Sequence, residues 1–226
     1  MTQNTTRQRR PLGHKVKQRR SQKTYDALIA AGFRLLEDRE LDDISVAELA
    51  AAAGYSVGAF YARFRSKDEY FDAMIDQHLQ SRREIQLGLL DTLTDDGLVA
   101  GLVENIVAYY WSRRRFWRAA LMRSMRDSTF WTPIRQLGND FASAFVLRIS
   151  ERIGRVLTAE EETNIRFAFQ IVFGTINNTI INRPGPVFMG QSQFVDNLVR
   201  AFRLIANYDN LKTTRKSTHR ARPGRK

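Results

Sequence analysis

The chain has no cysteine, which excludes disulfides, thiolate nucleophiles and Cys-ligated zinc. Histidine is nearly as scarce: His14 and His219 lie in the charged ends, leaving His78 as the one imidazole in the body. There are only five prolines in 226 residues, strict apolar/polar alternation is rare, and no apolar run approaches the ~18 residues needed to span a bilayer. The first twenty residues, MTQNTTRQRRPLGHKVKQRR, contain nothing resembling the apolar segment of a secretory signal. The expected compartment is therefore the cytoplasm, with no membrane partner. No His pair, Gly-rich phosphate loop or metal-ligand spacing is present, so no cofactor or metal is expected. The acid clusters Asp42-Asp43, Asp95-Asp96 and Glu160-Glu161-Glu162 would be the material for an enzyme. All fall at helix starts or in loops, where they complement the helix dipole, so no catalytic residue is expected.

What is present is charge, and its placement matters more than its sum. The net charge is +12, yet residues 1–25 hold eight Lys or Arg with no acid, and residues 210–226 hold seven with no acid, which leaves the body slightly acidic. Basic ends on an acidic globule point to a polyanionic partner, with nucleic acid the first candidate and an anionic membrane surface the second. A solubilising role for the C-terminal end stays open. With Pro11 and Gly13 and no apolar periodicity, residues 1–20 read as a disordered basic arm in which Arg19 and Arg20 are candidate DNA contacts. Residues 210–226 read as a disordered basic tail.

Within the body, apolar residues recur at three and four, so the fold class is all-α. A first helix is expected over Ser21 to Glu37, followed by the loop RELDDI. Ser45-Val-Ala-Glu48 is a capping box opening a second helix that Gly54 stops, Ser56 can cap a short third helix, VGAFYARF, and Ser66-Lys-Asp-Glu69 is a second box opening a long fourth helix. A helix of about eight residues, a tight turn and another short helix make a helix-turn-helix. Leu49, Ala53, Phe60 and Phe64 are its expected core, and Ala50 is small where the helices cross.

Residues 24–80, most plainly SVAELAAAAGYSVGAFYARFRSKDEYF, resemble the DNA-binding domain of the tetracycline-repressor (TetR) family. The matching places are Ser45-Val46, Leu49-Ala50, Ala53-Gly54-Tyr55-Ser56, Gly58, Phe60-Tyr61, Phe64 and Ser66-Lys67-Asp68. The resemblance implies an all-helical homodimer with an N-terminal three-helix DNA reader and a C-terminal domain binding a small effector, usually acting as a repressor. It also implies that Ser45, Tyr61 and Lys67 contact phosphates of a double-stranded, palindromic operator.

The residue chemistry runs parallel. Lys67, one residue past the Ser66 cap and just after Arg63 and Arg65, is a cation at the positive end of a helix, which makes sense with a phosphate between them. Tyr55, Ser56, Val57, Gly58, Ala59, Ala62 and Arg63 complete the expected DNA-facing set, Gly58 allowing close approach and Val57 and Ala59 suiting thymine methyl groups. The sequence departs from the family pattern at Val57 and Ala62, which are shorter than usual, and at Glu40, where a helix-ending glycine is customary.

Beyond Leu79 long helices are expected over 66–92, 96–111, 114–126, 128–156, 158–182 and 191–207, with Thr158-Ala-Glu-Glu161 as a further capping box and RPGPVFMG, residues 183–190, as a loop. The expected domains are a helix-turn-helix reader, 21–80, and a ligand-binding and dimerisation domain, 81–209. The aromatic-rich middle helices suggest a cavity for a small apolar or aromatic effector lined by Tyr110, Trp117, Leu121, Phe141, Phe145, Phe173 and Asn177. By the resemblance the last two helices form the dimer interface, offering Phe167, Ile171, Gly174, Asn178, Ile181, Phe194, Leu198 and Phe202. An architectural DNA-binding protein without an effector is the alternative reading.

Overall fold

The computed structural model describes residues 12–94 and 96–211, with side chains described from Ser21 onward. Every regular element among them is helical: α1 (Leu12–Leu35), α2 (Val46–Ala52), α3 (Val57–Tyr61), α4 (Lys67–Thr92), α5 (Leu98–Ser112), α6 (Arg114–Arg126), α7 (Thr132–Ile153), α8 (Ala159–Asn182) and α9 (Ser192–Ile205), with one 3-10 turn at Leu41–Asp43. The chain divides into two compact units after Ile75, five residues ahead of the expected boundary. Among the described residues no helix is long and apolar enough to cross a membrane.

The caps explain most boundaries. Ser45 Oγ accepts from the Glu48 N–H at 3.2 Å while the Glu48 carboxylate accepts from the Ser45 N–H at 2.8 Å, so the capping box that opens α2 is complete. The same reciprocal pair, Thr158 with Glu161, opens α8. At α4 the box is not reciprocal, which corrects the expectation. Ser66 Oγ accepts from the Glu69 N–H, but the Glu69 carboxylate takes the N–H of Arg65 rather than that of Ser66, because Arg65 also offers its Nε at 3.0 Å.

Two other boundaries differ from the sequence pattern. α1 begins at Leu12, so residues 12–20 of the expected disordered arm are helical. The run KVKQRR consists largely of straight-chain residues that lose little rotamer freedom in a helix, and periodicity alone gives them no signal. The calls on residues 1–11 and 212–226 lie outside the described residues. α7 begins at Thr132 rather than 128, since Asp127 Oδ1 accepts the Thr129 N–H at 2.9 Å and holds an Asx turn there. Pro133 then falls in the first turn of α7, where its missing N–H costs nothing, and Gly154 at φ 72° ends the helix.

The N-terminal unit is built on aromatic packing. The Tyr70 hydroxyl donates to the Leu28 carbonyl at 2.7 Å, and its ring meets Phe60 at 5.2 Å and Phe64 at 5.1 Å, with Tyr25 5.6 Å from Phe64. In the C-terminal unit α9 packs on α5 and α8. Phe145, Phe169 and Phe202 form its aromatic centre, with ring separations of 4.9–5.6 Å.

Gly32 lies where α1 meets the start of α4, and a Cβ there would run into the Tyr70 hydroxyl and lie 2.8 Å from Met74 Sδ. Alanine is favoured over glycine in a helix by roughly 0.8–1 kcal/mol, while overpacking costs about 1–3 kcal/mol. Gly32→Ala is therefore expected to destabilise the protein in urea unfolding. Gly32→Ala with Tyr70→Phe should lose less than the two single losses combined, because the shared clash is relieved.

Candidate nucleic-acid interface and internal cavity

The turn between α2 and α3 is closed by backbone bonds, with the Gly54 N–H on the Ala51 carbonyl and the Tyr55 N–H on the Ala50 carbonyl, both at 2.9 Å. Gly54 takes φ 76°, a left-handed conformation that a side chain would strain. Ser56 then caps α3 by accepting from the Ala59 N–H at 3.2 Å. Five helical residues are enough to sort the side chains. Leu49, Ala50, Phe60 and Phe64 are buried as expected, Ala53 half-buried, and Tyr55, Val57 and Tyr61 stand out, the last 54% exposed. Ser45, Ser56, Gly58 and Ala62 are also exposed, and Ala59, Arg63 and Lys67 are half-buried.

The basic residues behave differently from the sequence argument. Lys67 Nζ donates to the Ile44 carbonyl at 2.8 Å and to the Asp42 carbonyl at 3.4 Å. Arg63 donates to the Ala59 carbonyl at 3.1 Å and, at 3.3 Å, to the carbonyl of Ser21 on α1. Arg65 pairs with Glu69. A cation at the start of α4 thus needs no phosphate to account for it, since the loop before Ser45 supplies acceptors of its own. Lys67 thereby stands beside Ser45, so two of the three residues the resemblance links to phosphate are neighbours. Glu40 has extended backbone, φ −74° and ψ 149°, and leads into the 3-10 turn. Arg39, which sequence reasoning missed, donates to the Glu48 carboxylate at 2.6 Å and to the Asp43 carbonyl, bracing the loop. Arg19 and Arg20 lie on the α1 stretch whose side chains are outside the described set.

Within the C-terminal unit a cavity of about 750 Å³ opens among α4 to α8. Tyr110, Trp117, Phe173 and Asn177 line it, as expected. Leu121, Phe141 and Phe145 do not. Phe141 and Phe145 are fully buried against Phe169, and Phe145 also against Phe202, so they are core, the commoner fate of aromatics in a helical bundle. Sequence reading missed His78, Arg82, Gln86, Tyr109, Arg166 and Gln170, all in the lining. The spacing of 78, 82 and 86 on α4 places three polar residues one turn apart on a helix otherwise read for its apolar face, and that was the available signal.

Tyr110 stacks on Trp117 at 4.6 Å and 17°, and His78 lies over Tyr109 at 5.6 Å with the two hydrogen-bonded. Burial first, then the positive charges of Arg113 and Arg82, push the His78 imidazole down to about 4, so it is neutral at neutral pH. Burial pushes the Tyr109 phenol up to about 12.

The residues named for a dimer interface separate into two groups. On α8, Phe167, Gly174 and Asn178 are exposed and Ile171 and Ile181 half-buried, but Phe167 and Gly174 also line the cavity. On α9, Phe194, Leu198 and Phe202 are buried in the chain's own core, Phe202 to 1% exposure, and have no surface to offer a partner. The outward large apolar residue of that helix is Leu204, 75% exposed. The strong amphipathicity of α9 marks the face toward α5 and α8.

A serine-capped short helix displaying its outer side chains, locked to a second helix through a glycine turn, defines a helix-turn-helix protein whose second unit carries a cavity. Residues 28–74 match the family model for bacterial regulatory proteins, tetR family. The uncharacterized HTH-type transcriptional regulator YwcC of Bacillus subtilis (strain 168) is 37% identical over 95 residues, covering 38% of this chain and 42% of that protein. The chain is thus matched to less than half the length of this curated relative. Among solved structures, a tetR-family transcriptional regulator from Streptomyces coelicolor superposes with a TM-score of 0.61 at 18% identity, over 89% of this chain and 90% of that one. Salmonella enterica GusR does so with 0.57 at 16%, over 81% and 95%. At these identities the likeness is one of fold.

The capping carboxylate is expected to make the N-terminal unit sensitive to acid. The Arg39 guanidinium, then the Ser45 N–H and hydroxyl, hold the Glu48 carboxyl down to about 2, against an ordinary value of 4.5. A depressed carboxyl contributes stability that is complete above 4.5 and lost as pH falls toward about 2. Urea midpoints measured across that window should fall more steeply for the wild type than for Glu48→Gln, and superimposable profiles would contradict this linkage. Glu161, held down to about 2 chiefly by Arg155, keeps some slope in both proteins.

Proposed function

We propose that the protein is a sequence-specific DNA-binding transcriptional regulator rather than an enzyme, acting in the cytoplasm as a homodimer. In this reading it is a repressor released from a palindromic operator by a small effector in the cavity of the C-terminal unit. The observation that carries the reading is the outer face of α3, where Tyr55, Val57 and Tyr61 stand exposed on a helix whose Phe60 is wholly buried. A helix of this kind enters a major groove with its first residues toward base edges, so Val57 and Ala59 face bases while Tyr61 reaches a phosphate. Arg63, tied to backbone carbonyls, positions α3 more than it reads bases. The cavity favours this reading over an architectural protein, which has no use for one.

Selection of bound fragments from random duplexes tests the proposal. A regulator retains a few palindromic sequences, whereas broad retention would indicate an architectural protein. Tyr61→Phe is expected to weaken binding to selected and random DNA alike by roughly 1–2 kcal/mol, the scale of a hydrogen bond to a charged group. Val57→Ala should change which fragments are retained, and an unchanged preference would remove α3 as the reading helix.

A short reading helix engages too few bases alone, and two-fold symmetry places a second copy about 34–36 Å along the duplex. The outward face of α8 is the proposed contact. Ile171→Asp is expected to keep the helical fold and sediment as a monomer, while Phe202→Asp should unfold the C-terminal unit. A wild type that sediments as a monomer at micromolar concentration while binding DNA tightly would overturn the dimer.

A further inference from the structure

The cavity lining is chemically one-sided. It includes Arg82, Arg135 and Arg166 and not one aspartate or glutamate among the described residues. Arg166 is neutralised by Glu162 at 2.6 Å. Arg82 is not. It is 8% exposed, its Nη2 donates to the uncharged Asn105 Oδ1 at 3.3 Å, its Nε is buried without a hydrogen-bond partner, and no carboxylate pairs with it among the described residues. Its guanidinium lies 3.7 Å above the Tyr109 ring, and the Arg113 guanidinium lies 5.1 Å from the same ring, so a second positive charge adds to the field. The titratable groups facing Arg82 are Tyr109, Tyr110, His78 and Arg113, none of which is an anion at neutral pH.

Burying a cation without a counter-charge is costly, and arginine stays protonated in proteins. A protein that keeps such a group beside an open cavity has a place for an oxyanion, and the planar fork of a guanidinium matches a carboxylate in two-point geometry. The rest of the wall is aromatic, with Tyr110 and Trp117 stacked face to face and Phe173 6.1 Å from Tyr110. Gln86 Oε1 and Asn177 Oδ1 are buried acceptors without donors in the same lining, so the occupant also brings a hydroxyl or N–H. A volume of about 750 Å³ suits a compound of two or more rings.

We propose that this cavity binds an aromatic oxyanion, with the carboxylate or equivalent group on Arg82 and the rings against Tyr110 and Trp117. This rests on the reading of the cavity as the effector site, and it excludes the lipophilic cations that an aromatic pocket alone would accommodate.

Calorimetric titration of the full-length protein with 6-hydroxy-2-naphthoate and with its carboxamide, a neutral compound of the same shape, tests the proposal. The acid is expected to bind at least about tenfold more tightly than the amide, as a charge-assisted pair against a neutral one. Arg82→Gln should bring the two within about twofold, and Arg82→Lys should keep part of the preference. The wild-type comparison decides even where a variant fails to fold. Equal binding, a preference for the amide, no binding of the acid at millimolar concentration, or a full preference surviving in a folded Arg82→Gln protein would each overturn the proposal. Release of a selected DNA fragment on adding the acid is read separately. Acid selectivity without release leaves the oxyanion site standing and removes the effector-released repressor. Release by the amide but not the acid removes the oxyanion site and leaves the repressor standing.

Discussion

The buried hydrogen bond from Tyr70 to the Leu28 carbonyl, with Phe60 and Phe64 packed on the same ring, is the constraint from which the N-terminal unit follows. α3 has five helical residues and is far too short to be stable alone. Its orientation comes from inserting Phe60 into that aromatic cluster, and once Phe60 points inward, Val57 and Tyr61 have nowhere to go but out. The proposed DNA surface is thus a consequence of core packing. Gly32 completes the arrangement by leaving room for the tyrosine hydroxyl beside α1.

Cations in the reader serve the fold as well as any partner. Lys67, Arg63, Arg34 and Arg39 all donate to backbone carbonyls of loops or helix ends, where the last carbonyls lack partners of their own. A long side chain with several donors can hold a carbonyl through some of them and present the remainder outward. Positive charge close to the proposed duplex therefore coexists with a braced loop, and the two roles compete only if DNA withdraws the cation from its carbonyl.

The C-terminal unit makes two uses of α8. One face, with Ile165, Val172 and Ile176, is core, while Phe167, Phe169, Gln170, Phe173, Gly174 and Asn177 border the cavity. Polar atoms accumulate there with incomplete partners: Arg82 Nε, Gln86 Oε1 and Asn177 Oδ1 are each buried and unbonded. Such groups destabilise an empty protein, and the proposed occupant would supply the partners they lack.

The amino-acid sequence by itself determined what depends on local chemistry. The all-α class, the serine and threonine caps at Ser45, Ser56 and Thr158, the glycine stop at Gly54 and the inward Phe60 and Phe64 are all set by residues within a turn or two of one another. Only the tertiary structure decided which apolar residues are core and which line the cavity. Phe145 and Phe173 look alike in sequence, but one is sealed between Phe169 and Phe202 while the other borders open space. It decided likewise that Phe194, Leu198 and Phe202 turn inward on α9, that the Lys67 ammonium is held by the Ile44 carbonyl, and that Arg82 has no counter-charge among the described residues. The physical reason is the same in each case. A cap reads its neighbours along the chain, whereas burial, pairing and an empty volume depend on residues brought from twenty to a hundred positions away.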